Sequence, residues 1–291
     1  MAAKLLDGAA IAGHVYAQLK QRVAALDRHG VQPGLAAVQL GDDAVSRIYL
    51  RNKVKACAGV GVYSEVHRFD ADCPESVALA TLDKLNRNPR IHGVIIQLPL
   101  PRNLDADRIM QSIALEKDVD GFNWRNLGAL VAGHPGFVPC TPLGVMTMLD
   151  AAGITIEGRH AVMVGRSSIV GKPMTLLLIA RGATVTVCNS KTVDLGDFTA
   201  HADILVVAAG QPGLITGSMV KPGAAVIDVG INRLPDGRIL GDVDRVSVTE
   251  KASYLTPVPG GVGPMTVATL ISNTVRAAEH SVASQTLAST G

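Results

Sequence analysis

Residues of two kinds in this chain have the types and spacing to do chemistry. The first are side chains. The segment SRIYLRNKVKACAGVG, beginning at Ser46, reads as a helix on which Tyr49 and Lys53, four positions apart, stack on one face while Arg51 and Lys55 fall elsewhere. Further along, HGVIIQLPLP is a β-branched run that must stop near Gln97, because Pro99 and Pro101 cannot donate to a strand ladder. A lysine that transfers protons needs a neutral amine within reach of pH 7. Desolvation helps, a carboxylate partner hinders, and a glutamine can hold the amine without that penalty. Plainer readings exist for both: a solvated basic helix with a half-buried tyrosine, which spacing alone favours, and a glutamine satisfying backbone groups at a strand end.

The second kind is backbone. In HAVMVGRSSIVGKP, His160 to Pro173, a short apolar run meets a glycine turn and then the start of a helix, which gathers N–H groups and a positive helix end where a phosphate can sit. The stretch lacks the GxGxxG fingerprint, since Ser167 stands at the second glycine. It is also no nucleotide-hydrolase loop: five residues separate Gly165 from Gly171, and Lys172 is followed by Pro173, which has no hydroxyl for magnesium. An ordinary strand-to-helix turn remains the alternative. NAD-preferring sites carry an acid about 20 residues past the first glycine. Here the next strand ends in Cys188-Asn189-Ser190-Lys191, and Ser190, Lys191 and Arg166 offer hydroxyl and positive charge suited to a 2′-phosphate, hence NADP.

Between them lies KDVDGFNWRNLG, from Lys117. Asp118 and Asp120 fail as a calcium loop, because its fifth position would be Phe122 and its twelfth Ala129. A carboxylate here can form the turn, or can match two adjacent N–H groups on a heterocycle edge.

Composition narrows the partners. Lys and Arg total 27 against 25 Asp and Glu, too balanced a charge to attract nucleic acid or an anionic membrane. The four cysteines, Cys57, Cys73, Cys140 and Cys188, form no CxxC pair, so neither zinc nor a disulfide framework is expected, and reduced core thiols are. Asp7 interrupts any leader-like run, and no stretch approaches the roughly 18 apolar residues of a membrane span. A cytoplasmic protein with a small-molecule partner and no metal is the expectation.

With 291 residues and about 150 per domain, two domains are expected. Asp7 can cap a helix with Ile11, Val15, Leu19, Val23 and Leu26 on one stripe and Gly30 stopping it. A buried strand follows at 35–40, a helix near Ser46, a strand at 63–69, a helix at 74–85 and the strand at 93–96. Pro139 and Pro142 mark a crossing, with a helix at 143–152. From Arg159 the pattern becomes strand 160–164, helix 169–181, then strands 184–188, 204–208 and 225–229, a doubly wound parallel sheet. The closing TPVPGGVGPMT is too rich in Gly and Pro for regular structure over 256–264, a helix follows over 265–280, and a polar tail ends the chain. No internal repeat is evident.

Tyr49…Lys53, VIIQLPLP, KDVDGF, GRSSIVGKP and TPVPGGVGPMT stand in this order over nearly the whole chain. Together they resemble the bifunctional methylenetetrahydrofolate dehydrogenase/cyclohydrolase family. The resemblance implies two α/β domains flanking a cleft: a folate-binding domain of residues 1–142 plus 265–284, a Rossmann-like NADP domain of residues 143–264, a last helix returning to the first domain, and a disordered tail over 285–291. It implies NADP-dependent oxidation of 5,10-methylenetetrahydrofolate and hydrolysis of the methenyl product to 10-formyltetrahydrofolate, in a homodimer. Carried over by position, Lys53 transfers the proton in hydrolysis, Tyr49 stacks on the ring, Gln97 holds and tunes Lys53, and Asp120 anchors the pterin edge. Leu98, Pro99, Gly261, Val262 and Pro264 line the folate side. Gly165, Arg166, Ser167, Ile169, Val170, Gly171, Ser190 and the backbone near Ile231 line the NADP side.

The chain departs from the family pattern at Asn123 and Trp124, where His and Pro are usual, and at Asn189, where His is common. Three other readings are a monofunctional NAD-linked dehydrogenase of the same fold, a dehydrogenase of shikimate or amino-acid type, and a non-catalytic NADP-sensing module. The first needs the missing acid, the second does not need QLPLP or PGGVGPMT, and the third leaves Tyr49, Lys53 and Gln97 without a task.

Overall fold

The structure, a computed structural model, describes residues 2–290, the side chains of 44, 45 and 285–290 excepted. In chain order the strands are β1 (Lys4–Leu5), β2 (Gly34–Leu40), β3 (Tyr63–Phe69), β4 (Gly93–Gln97), β5 (His160–Val164), β6 (Thr184–Cys188), β7 (Ile204–Val207), β8 (Ala225–Asp228), β9 (Asn232–Arg233), β10 (Ile239–Leu240) and β11 (Tyr254–Leu255). The helices are α1 (Gly8–Asp27), α2 (Ala44–Val60), α3 (Glu75–Arg87), α4 (Ala106–Gln111), α5 (Trp124–Val131), α6 (Cys140–Ala151), α7 (Gly171–Ala180), α8 (Leu195–Thr199), α9 (Arg245–Thr249) and α10 (Val262–Thr290). They form two compact units, His14–Cys140 with Val267–Gly291, and Met1–Gly13 with Thr141–Thr266.

The first unit is built on a three-stranded parallel sheet in the order β3-β2-β4. Successive residues of β2 and β4 enter different cores. Leu35, Ala37 and Ile95 pack with Leu19, Leu50, Cys57, Ile271 and Val275, from α1, α2 and α10. Ala36, Val38, Val94 and Ile96 pack with Leu82 and Ile109 from α3 and α4. A strand covered on both faces needs apolar residues at every position, which is why these runs do not alternate. Truncating a fully buried residue such as Leu50 or Leu82 to alanine would cost about 2–5 kcal/mol.

Helix α2 starts at Ala44, two residues before the expected Ser46, because the Asp43 side chain accepts the Ser46 N–H at 2.7 Å. Gly61, at φ 86°, ends it in the left-handed conformation, with its N–H on the Ala58 and Cys57 carbonyls.

The second unit carries a six-stranded parallel sheet in the order β1-β11-β8-β7-β5-β6. From β5 the chain moves outward to β6, then returns to lay β7 on the other side of β5. That reversal makes the sheet doubly wound and puts the switch point at the carboxyl ends of β5 and β7.

Several boundaries differ from the sequence expectation. Residues 1–13 belong with 141–266 and not with the folate-binding domain, because Lys4 and Leu5 pair in parallel with Tyr254 and Leu255. Helix α6 begins at Cys140, with Pro142 in its first turn, where an N–H has no intrahelical partner to lose. The same reason lets α10 start at Val262 with Pro264 third, so Val262 and Pro264 are helical and the expected loop ends at Gly261. Helix α7 begins at Gly171, two residues after the expected start. Helix α10 continues to Thr290, so 285–290 is helix and not a disordered tail; Gly291 lies outside the described residues. Leu98–Pro99 and Val258–Pro259 are cis.

Candidate active site

In the first unit, Lys53 sits half-buried on α2, one turn after the half-buried Tyr49, while Arg51 and Lys55 are exposed. Gln97 is the last residue of β4 and shares the α2-facing side with Ile95, two positions earlier. Lys53 Nζ donates to Gln97 Oε1 at 3.1 Å, and Gln97 Nε2 donates to the Leu98 carbonyl at 2.8 Å. The amide nitrogen is thus occupied by backbone, which turns the oxygen toward the amine. The Ser46 hydroxyl, on the same helix face three residues before Tyr49 and seven before Lys53, donates to the same Leu98 carbonyl at 3.4 Å. This residue was not singled out in the sequence, although its spacing of three and seven carries the signal.

The DVD segment separates into two roles. Asp118 is 1% exposed, and its carboxylate accepts from Phe122 N at 3.2 Å, Asn123 N at 2.8 Å and Asn126 Nδ2 at 2.7 Å. It is the turn former, and burial still raises its carboxyl against those bonds. Asp120 is partly accessible. Burial pushes its carboxyl up to about 6; the Lys53 ammonium pulls it down and the Asp118 charge pushes it further up. Gly121, directly after Asp120, is at φ 72°, and a Cβ there would come 2.6 Å from the Val138 carbonyl carbon, so the turn is a glycine position twice over.

Asn123 caps α5, accepting from Arg125 N at 3.0 Å and donating to the Ile113 carbonyl at 3.3 Å, whereas Trp124 is 62% exposed. The departure at Asn123 is therefore a helix cap. The sequence marks Cys140 only as a core thiol. Its Sγ donates to the Val119 carbonyl at 3.3 Å, and burial, with Asp120 nearby, raises the thiol well above its ordinary value. One turn beyond Lys53, burial pushes the Cys57 thiol up to about 12. All four cysteines are free and buried, and among the described residues no group of three or more His, Cys, Asp or Glu is arranged for a metal ion.

In the second unit Gly165 follows β5 at φ 120°, and a Cβ on it would clash with the Ala208 carbonyl. Gly171 opens α7, where a Cβ would clash with the Gly165 carbonyl. Both glycines are required by close backbone approach. Ser167 turns inward on the loop: its Oγ accepts from Val170 N at 3.2 Å and Gly171 N at 3.3 Å, so a hydroxyl tightens the turn where a second glycine was expected. Arg166 and Ser167 are exposed, and Ile169 and Val170 partly buried. Ser190 and Lys191 are exposed after β6, where Asn189 Oδ1 accepts from Lys191 N at 3.0 Å and shapes the turn. Ile231, after β8, is 47% exposed. Gly261, with a Cβ position 2.5 Å from the Pro257 carbonyl oxygen, precedes Val262 and Pro264 in this unit.

Family comparison divides the chain in sequence order between residues 120 and 139, and so counts residues 6–13 with the first domain and 267–282 with the second, the reverse of the units in which the structure packs them. Residues 6–120 match the tetrahydrofolate dehydrogenase/cyclohydrolase catalytic domain and residues 139–282 its NAD(P)-binding domain. The bifunctional protein FolD of Nitrosospira multiformis is 58% identical over 280 residues, 96% of this chain and 97% of its own. The crystal structure of the Campylobacter jejuni bifunctional enzyme FolD superposes with a TM-score of 0.94 at 46% identity, over 96% of this chain and 99% of that one. The Trypanosoma brucei enzyme, solved with NADP cofactor and inhibitor, gives 0.94 at 38% identity, over 97% and 99%. With both domains matched in order and such identity along nearly the full length, the chain belongs to the tetrahydrofolate dehydrogenase/cyclohydrolase family.

Proposed function

We propose that the two steps of this family are served by the two groups of residues described above, hydrolysis by the Lys53 group and oxidation by the glycine loop and its flanking strand ends. As a family member the chain is a bifunctional one-carbon enzyme, oxidising 5,10-methylenetetrahydrofolate with NADP and hydrolysing the methenyl product to 10-formyltetrahydrofolate. The observation that carries the hydrolytic assignment is the 3.1 Å bond from Lys53 to a glutamine, not a carboxylate. The amide oxygen holds and orients Lys53 Nζ, and a proton from the water that attacks the methenyl carbon would pass to that amine. Tyr49 supplies a ring face on the same helix side, and the Asp120 carboxylate offers two oxygens to adjacent N–H groups of a pterin edge. Leu98, whose carbonyl is held by Gln97 and Ser46, and Pro99 after it border the same place.

The second unit fits a dinucleotide: two glycines leave no room for side chains in the loop, α7 presents its N-terminus, and Arg166 and Lys191 supply cations with no carboxylate at the end of β6. NADP, when bound, accepts the hydride; this chain's part is to hold and orient it. Gly261, Val262 and Pro264 are assigned to the folate side from the TPVPGGVGPMT pattern, and a cytoplasmic homodimer is taken from the same resemblance. The test is Lys53→Met. Hydrolysis of supplied methenyltetrahydrofolate should fall by about 100-fold or more, and hydrolysis at the wild-type rate in a folded variant would sink the assignment.

A further inference from the structure

Asp242 lies between β10 and α9, outside every motif that marks the family resemblance, and is completely buried. Its Oδ2 accepts from Ala209 N at 2.6 Å and Gly210 N at 2.9 Å, and its Oδ1 from Gln211 N at 2.9 Å and Asn232 Nδ2 at 2.8 Å. Four donors fill the lone pairs of a carboxylate, so none is left for a ligand. The parts it ties together are informative. Residues 209–211 are the turn directly after β7, at the switch point of the sheet, and the Ala208 carbonyl at its start is the group that abuts Gly165. Asn232 immediately follows Ile231 at the end of the β8 connection.

Asp242 is itself clamped. Its own N–H donates to Asp228 Oδ1 at 2.9 Å, and Asp228 also receives Gly230 N at 3.0 Å and Val243 N at 3.0 Å. A Cβ on Gly230 would clash with the Asp242 carboxylate, and one on Gly241 with that of Asp228. Side chain and backbone N–H of Asp242 are thus both tied by hydrogen bonds.

We propose that Asp242 is a positioning residue for NADP: it holds the post-β7 turn and the post-β8 loop in the geometry the dinucleotide needs, without touching it. The proposal rests on the reading of the Gly165–Gly171 loop as the cofactor site. Without the carboxylate, three N–H groups of a turn at the sheet's switch point would seek other acceptors, and the order would have to be restored at each binding event.

The test is Asp242→Asn, which keeps the shape but replaces one acceptor oxygen by an NH₂ facing N–H groups. Isothermal titration should show NADP binding weakened by about 10- to 100-fold, the loss expected for hydrogen bonds to a charged group. Hydrolysis of supplied methenyltetrahydrofolate, which needs no NADP, should stay within about twofold, and oxidation should recover most of its kcat at saturating NADP. Asn232→Ala, which removes one donor, should weaken NADP binding less, by about 3- to 10-fold; this variant decides if Asp242→Asn does not fold. Unchanged NADP affinity in the folded variants, or parallel loss of NADP binding, hydrolysis and thermal stability, would overturn the proposal. Arg166→Ala run alongside separates the two readings, since unchanged affinity there would count against the cofactor loop itself.

Discussion

Asp120 and Asp228 are both carboxyls that burial pushes up to about 6, yet their oxygens face different things. Asp228 spends its oxygens on the N–H groups of Gly230, Asp242 and Val243, each held by its own backbone. Asp120 lies beside the side chains of Lys53 and Cys140, and is partly accessible. A raised carboxyl therefore does not by itself mark a reacting centre. What distinguishes one is whether the acceptor atoms remain available to something that arrives from outside.

The contrast can be broken at either end. The largest effect should come from Asp228→Asn, whose NH₂ would meet N–H donors; thermal unfolding should show a loss of about 2–4 kcal/mol, and unchanged stability would mean the network is not what holds these loops. Asp120→Asn should act in the opposite direction. In the folded chain Asp120 ionises near 6, against 3.8 as its ordinary value, so between these pH values the native state holds the extra proton and stability falls as pH rises through the window. Removing the charge should therefore raise stability at pH 7–8 by about 1–2 kcal/mol, while weakening the folate complex. A variant both less stable and fully active would contradict this pairing. Ser46→Ala should do least, raising the KM of hydrolysis and costing about 1 kcal/mol, because the Leu98 carbonyl keeps Gln97 as its donor.

Much of this was legible in the sequence because the signals were local. The β4 run stops at prolines, which places Gln97 at a strand end; helical spacing puts Tyr49 and Lys53 on one face; the turn after β5 shows its glycines. What was hidden depends on partners distant in the chain. Lys4–Leu5 is too short to read as a strand until Tyr254–Leu255 stands beside it. Asp118 and Asp120 differ by one intervening residue, and only the direction of the backbone turn sends one carboxylate inward to Asn126 and leaves the other near Lys53. Pro264 reads as a helix breaker unless it falls in the first turn, where it does. Asp242 has an ordinary sequence neighbourhood, and its importance comes from the turn after β7.

The most direct test is the KM for methenyltetrahydrofolate hydrolysis between pH 5 and 8, in the wild-type chain and in Asp120→Asn. If Asp120 is the open carboxylate, the wild-type KM should fall by about tenfold as pH rises through about 6 and the oxygens become acceptors, and the variant should lack that step. A step of the same size in both proteins would show that Asp120 does not hold the substrate.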